Sequence, residues 1–191
     1  MPRGPSSGPE RPRLRAAELT ILVGVMGLLG VLSWSAVAQV SGHAVASEAE
    51  VRLAILFRSS ASYFSQEMVK PDGTPIAPQF PRSHGATPAM GTCCRATDGL
   101  CRPGGSGAGA YANAQWDDPT WQALNFAISD PHYLSYRYES SGLRSAARFR
   151  ASAHGDLDCD GVFSTFERTG MVTSDLNIQG SRGISRRQPT E

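Results

Sequence analysis

From Leu19 to Val40 the chain is uncharged and almost wholly apolar, interrupted only by Thr20, Ser33, Ser35 and Gln39. A helix of that length covers the about 30 Å of a bilayer's hydrocarbon core. Arg3, Arg11, Arg13 and Arg15 precede the run, and the next arginine is Arg52. That asymmetry predicts a cytoplasmic N-terminus, with the remainder of the chain on the far side of the membrane.

The pattern then changes rather than stops. No proline occurs between Ala44 and Met68, and Leu53, Phe57, Ala61, Phe64 and Met68 recur at helical spacing. Glu48 and Arg52 stand four apart and are expected to pair on the outer face. The reading is one long helix from about residue 15 to about residue 66, apolar all round at first and amphipathic later. Its stripe needs a surface to cover.

That surface is expected downstream. Alternation marks Tyr133–Glu139 as a strand, and Arg148–Ala153 as a second with Phe149, Ala151 and Ala153 on one face. Val162–Thr169 reads as a third, and Asp156–Gly161 as the turn before it. Trp121–Phe126 reads as a short helix or turn, with Pro119 tolerated in its first turn. The fold class is therefore α+β: a long N-terminal helix, membrane-spanning in its first half, packed on a small antiparallel sheet. The organisation expected is a disordered basic leader (1–13), the transmembrane and amphipathic helix (14–68), a loop rich in Pro, Gly and Cys (69–115), a sheet-based head (116–170) and a flexible tail (171–191).

Composition narrows the function. The net charge of +1 over 191 residues gives no electrostatic case for nucleic acid. The cysteines are Cys93, Cys94, Cys101 and Cys159. In an exported domain they are disulfide candidates. A vicinal Cys93–Cys94 bond is strained, so one of these two is expected to pair with Cys101 and the other with Cys159, or to stay free. Neither Cys94 nor Cys101 belongs to a CxxC pair, and no histidine has ligand spacing to them, which weighs against a metal. No nucleophile elbow, phosphate loop or HExxH motif occurs, so no enzyme is expected. His43, His84, His132 and His154 are scattered. Trp116 and Trp121 read as core or lid residues.

Ala17-Glu18-Leu19-Thr20-Ile21-Leu22-Val23 places a glutamate at the very start of the apolar helix. This segment resembles the N-terminal signature of type IV pilins and of type II secretion pseudopilins. Thr120–Phe126, Tyr133–Tyr138, Gly155–Gly161 and Ser164–Glu167 are similar to segments of pilin-like proteins. The resemblance implies a structural subunit that polymerises through its N-terminal helix with like or related pilin subunits. It makes Leu14 the first mature residue and sets Glu18 against a neighbouring subunit's free amine. The family carries glycine before the cut and usually phenylalanine after it, where this chain has Arg13 and Leu14. The implied placement is the inner membrane, single-pass, with the C-terminal domain periplasmic, and the cell surface or fibre once assembled.

Asp156, Asp158, Asp160, Gly161, Ser164 and Glu167 fit the twelve-position calcium loop D-x-D-x-D-G-x-x-S-x-x-E, with the Val162 carbonyl as the seventh-position ligand. The flanks read as strands, which makes this a calcium loop at a β-turn rather than an EF-hand. The alternative is a solvated acidic turn, where Asp and Gly are favoured in any case. Two further readings of the whole chain stand beside the subunit. Ala36-Val37-Ala38 before Gln39 offers a Sec cleavage site and a secreted domain. An uncleaved chain gives a permanently anchored, non-enzymatic calcium-binding or adhesive domain.

Overall fold

The computed structural model describes residues 42–188. Within them helix α1 occupies 42–64. It buries Val45, Ala49, Leu53, Leu56, Ser60 and Phe64 at spacings of three and four. The buried stripe is therefore turned from the one the sequence suggested. Leu53 and Phe64 belong to it, Phe57 and Ala61 are only half-buried on its flank, and Met68 lies beyond the helix end. The last turn closes through the Ser65 amide on Ala61 and the Gln66 amide on Tyr63, both at 3.2 Å. Pro71 follows.

The remaining strands are β1 (His84–Thr87), β2 (Arg102–Pro103), β3 (Ala110–Tyr111), β4 (Ser135–Ser141), β5 (Arg148–Gly155), β6 (Ser164–Val172), β7 (Ile178–Gly180) and β8 (Ser185–Arg187), with a short helix α2 (Pro119–Ala123) between β3 and β4. The main sheet has six strands in the order β1-β4-β5-β6-β7, with β8 also on β6, and every pairing is antiparallel. β2 and β3 form a separate parallel pair.

Alternation along β4–β6 sets the inner face. In register, Ala153 lies between Tyr136 and Phe166, and Phe149 between Ser140 and Gly170. The small side chains at 151, 153 and 170 leave room for α1, and a Cβ on Gly170 would run into the Phe149 ring. Phe57, Phe80 and Tyr138 all pack on Phe149, with centroids 4.8–5.7 Å apart. Such offset and edge contacts add to plain burial. A second aromatic layer stacks Trp116, Trp121, Phe126 and Tyr136 at 5.4–5.6 Å. α2 is held there by Asp118, whose carboxylate accepts the Thr120 amide at 2.8 Å, and by Pro119 at its start.

Three expectations are corrected here. The fold is not one long helix on a small sheet: the described helix ends at 64 and the sheet has six strands. The sheet is larger because β1, β7 and β8 are too short to show alternation and are ordered by pairing onto long neighbours. The segment 171–191, expected to be loose, contributes β7 and β8. Gly180 fits against Phe57, and Arg186 pairs with Glu50 of α1. Finally, among the described residues no helix is long and apolar enough to cross a membrane. The single-pass inner-membrane placement is therefore not supported. The run Leu19–Val40, with Leu14 and Glu18, lies outside the described residues.

Candidate functional site

The acidic turn joins β5 to β6 as expected. Asp156, Asp158 and Asp160 each bring a carboxylate oxygen to within 4.8 Å of the others. Local turn chemistry shapes the loop: the Gly161 amide donates to Asp156 at 3.1 Å and the Val162 amide to Asp160 at 2.7 Å. Gly161 has a φ of +91°, which a side chain would oppose. One oxygen of Asp156, Oδ1, is buried without a hydrogen-bond partner among the described residues. Buried oxygens of this kind normally have one.

Two disulfides brace this end of the molecule. Cys93 pairs with Cys101, and Cys94 pairs with Cys159 at the centre of the acidic loop. The second ties the 3-10 turn Cys93–Arg95 to the β5–β6 hairpin. None of the cysteines is free, so none offers a thiolate to a metal. The bridges point to an oxidising compartment.

The other sequence-derived ligands do not join the three aspartates. Ser164 is fully buried, and its hydroxyl donates back to the Gly155 carbonyl at 3.1 Å. Glu167 lies along β6 and pairs with Arg150 at 3.4 Å and Arg187 at 3.0 Å. Val162 is exposed at the tip. The structure thus assembles three carboxylates of the twelve-position pattern and spends its last glutamate on the sheet's charged face. His154 bonds to Thr165 at 3.1 Å and to Ser152 at 2.9 Å, and burial lowers its pKa.

Glu48 is the residue that sequence reasoning misplaced. It does not lie on an outer face with Arg52. One carboxylate oxygen accepts the Tyr133 amide at 3.0 Å and the other the Tyr136 hydroxyl at 2.7 Å. Burial, the largest influence, raises its pKa against the lowering effect of these bonds and of nearby Arg52. The signal was its place between Val45 and Ala49, on the edge of the true buried stripe. A second buried relay lies close by. His132 Nδ1 faces the Leu134 carbonyl at 2.8 Å, which can only accept, so Nδ1 carries the proton. Nε2 then accepts from the Tyr111 hydroxyl at 2.8 Å, and Tyr111 accepts from the Trp116 indole at 2.9 Å. Burial pushes His132 down to about 4 and Tyr111 up to about 12. All three rings are satisfied structural groups.

The face of the sheet away from α1 is a ladder of charge. Glu139 pairs with Arg137 at 2.8 Å and with Arg150 at 3.6 Å, while Glu167 pairs with Arg150 and Arg187. At the end farthest from the acidic loop, Ser141, Arg148 and Met171 stand in one cross-strand row. A shallow cleft of about 420 Å³ opens there.

No known family model, curated protein or solved structure matches this chain.

Proposed function

We propose that the chain is a pilin-like structural subunit, of the type IV pilus or type II secretion pseudopilus kind, working in an oxidising compartment. The observation that carries this reading is the mounting of α1. Its stripe lies across the sheet, Glu48 takes the Tyr133 amide and Tyr136 hydroxyl, and the Tyr138 hydroxyl donates to Ser60 at 2.9 Å. A helix fixed at several points to a disulfide-braced head suits a part that carries load from a polymerising N-terminal segment. In that role Glu18 sets the register against a neighbour's amine at its own first residue, the position of Leu14. Fibres sheared from the cell surface, or the isolated secretion complex, test this. The full chain should be recovered with partner subunits, and Glu18→Ala should remove most of that recovery. Equal recovery of parent and variant, or absence of the chain from both fractions, contradicts it.

A second reading concerns the acidic loop and has its own observation, the unpartnered oxygen of Asp156, a residue whose carboxylate clusters with those of Asp158 and Asp160. Calcium takes six or more oxygens. Asp156, Asp158, Asp160 and the Val162 carbonyl would supply part of the set and water the rest, without Ser164 or Glu167. A chain exported alone with such a loop would be a calcium-binding or adhesive domain. Titration of the full chain with calcium tests this: saturable uptake lost in Asp158→Asn supports it, and no uptake at millimolar calcium opposes it.

A further inference from the structure

The β5–β6 hairpin has two unlike ends. At one, Gly155 and Ser164 close the ladder, and the acidic loop follows. Asp158 and Asp160 are exposed there, and among the described residues neither has a cationic partner. Val162, exposed to 36%, stands beside them. At the other end lies the cleft lined by Glu139, Ser141, Arg148, Arg150, Thr169 and Met171, where Glu139 is already paired with Arg137 and Arg150. Arg148 binds only the Ser141 hydroxyl, at 3.0 Å, and has no carboxylate partner among the described residues. Met171, exposed to 57%, supplies an apolar floor beside it. The ends are separated by the length of the hairpin, about 25 Å for strands of this length.

The charged face between them is largely paired within itself. The uncompensated charges sit at the two ends, negative at the tip and positive at the cleft, each with an exposed apolar side chain alongside. We propose that the cleft around Arg148 and Met171 receives the acidic tip, Asp158–Val162, of a second copy of this chain. The contact is heterologous, since a tip meets a cleft rather than another tip. A bound pair still has one free tip and one free cleft, so the contact propagates in one direction. Opposed charges would steer the encounter and fix its polarity, and the Val162–Met171 contact would exclude water at its centre. The inference rests on the subunit reading and names a head-to-tail contact between head domains that acts beside the N-terminal helix.

Charge reversal tests it on the full chain, held in a non-ionic detergent with EDTA so that the loop keeps its full charge. Association is followed by sedimentation at low and high salt. Asp158→Arg combined with Asp160→Arg makes the tip cationic, with Asp156 its one remaining carboxylate, and Arg148→Glu makes the cleft anionic. None of the three residues is buried or holds the core, and an unchanged unfolding transition verifies that each variant is folded. The parent should associate at low salt and lose that association at high salt. Each variant alone should bind itself at least about tenfold more weakly. Mixed in equal amounts, the two should recover parental affinity, because each tip then meets an opposite cleft. The chain carrying all three changes should also recover it. Tip or cleft variants that alone associate like the parent, a mixture no tighter than either variant, or a parent that shows no salt-sensitive association would overturn the proposal. The fibre-recovery test with Glu18→Ala reads a different part of the chain, so the subunit reading can survive the loss of this contact.

Discussion

Glu48 and the acidic loop are two carboxylate sites that the molecule treats in opposite ways. Glu48 is drawn under the sheet's end, with one oxygen bonded by Tyr136 of β4 and the other by the amide of Tyr133, two residues before that strand. Asp158 and Asp160 stay exposed and take only backbone amides from their own turn. The first site exists because distant segments pack together. The second exists because Asp and Gly favour a tight turn wherever they fall. This difference decides how each responds to mutation, to pH and to cations.

The largest effect should come from cutting the link between the loop and the rest of the head. Cys94 and Cys159 are separated by 65 residues, and Cys93 and Cys101 by 8. On the chain-entropy view, replacing Cys94 and Cys159 together by serine costs about 4 kcal/mol, and replacing the shorter pair about 2.5 kcal/mol. Urea unfolding of the two variants should rank them in that order.

Glu48→Ala comes next. It strands a buried amide and a buried hydroxyl, for a cost of about 3 kcal/mol, whereas Glu48→Gln keeps an acceptor and costs about 1 kcal/mol. Asp158→Ala in the loop should change stability by no more than about 0.5 kcal/mol. If Glu48→Ala were as mild as Asp158→Ala, the contrast between the sites would fail.

The two buried titratable groups should bend the pH profile in opposite directions. His132 has its folded pKa lowered to about 4 from 6.5, so the unfolded chain takes up a proton that the folded chain refuses. Stability from this group is complete above pH 6.5 and is lost as pH falls toward 4, by about 3 kcal/mol in total. Glu48 is raised above its ordinary 4.5. The folded state then holds its proton longer, and the stability linked to it is present below pH 4.5 and is lost as pH rises through the raised value. Denaturant midpoints between pH 4 and 7 should show the acid-side fall in the parent and a smaller one in His132→Phe, where the lowered His154 remains. Glu48→Gln should lose the opposing component.

The contrast also explains what could be read in advance. β4, β5 and β6 were legible because Tyr136 and Tyr138, Phe149, Ala151 and Ala153, and Phe166 alternate with polar residues. The acidic turn was legible because its geometry is made by its own side chains. The cysteine pairing could be narrowed to two partners for Cys93 and Cys94, but which took which depends on how the 3-10 turn presents them to Cys101 and Cys159. β1, β7 and β8 could not be seen, since strands of three or four residues gain their order from the edges they join. The helix was legible and its phase was not. Phe57 outranks Leu56 in size, yet Leu56 and Ser60 face the sheet while Phe57 lies at its margin beneath the Arg168 guanidinium, 4.6 Å from the ring centre. That same rotation hid Glu48. Strand β6 begins later than expected because Val162 is held in the turn by Asp160.

A small effect also belongs to the loop as a cation site. At calcium five times the dissociation constant, binding would stabilise the fold by about 1 kcal/mol. A thermal scan with millimolar calcium against EDTA should show a small upward shift, absent in Asp158→Asn.

The subunit reading is tested most directly by the intact mass of the chain recovered from cells, before and after reduction. The account predicts a first residue at Leu14 and a mass gain of about 4 Da on reduction, two hydrogens for each bridge. That start would free the amine that Glu18 needs in a neighbouring copy. A chain beginning at Gln39 would lack Glu18 and the whole apolar run, and would contradict assembly through the N-terminal segment.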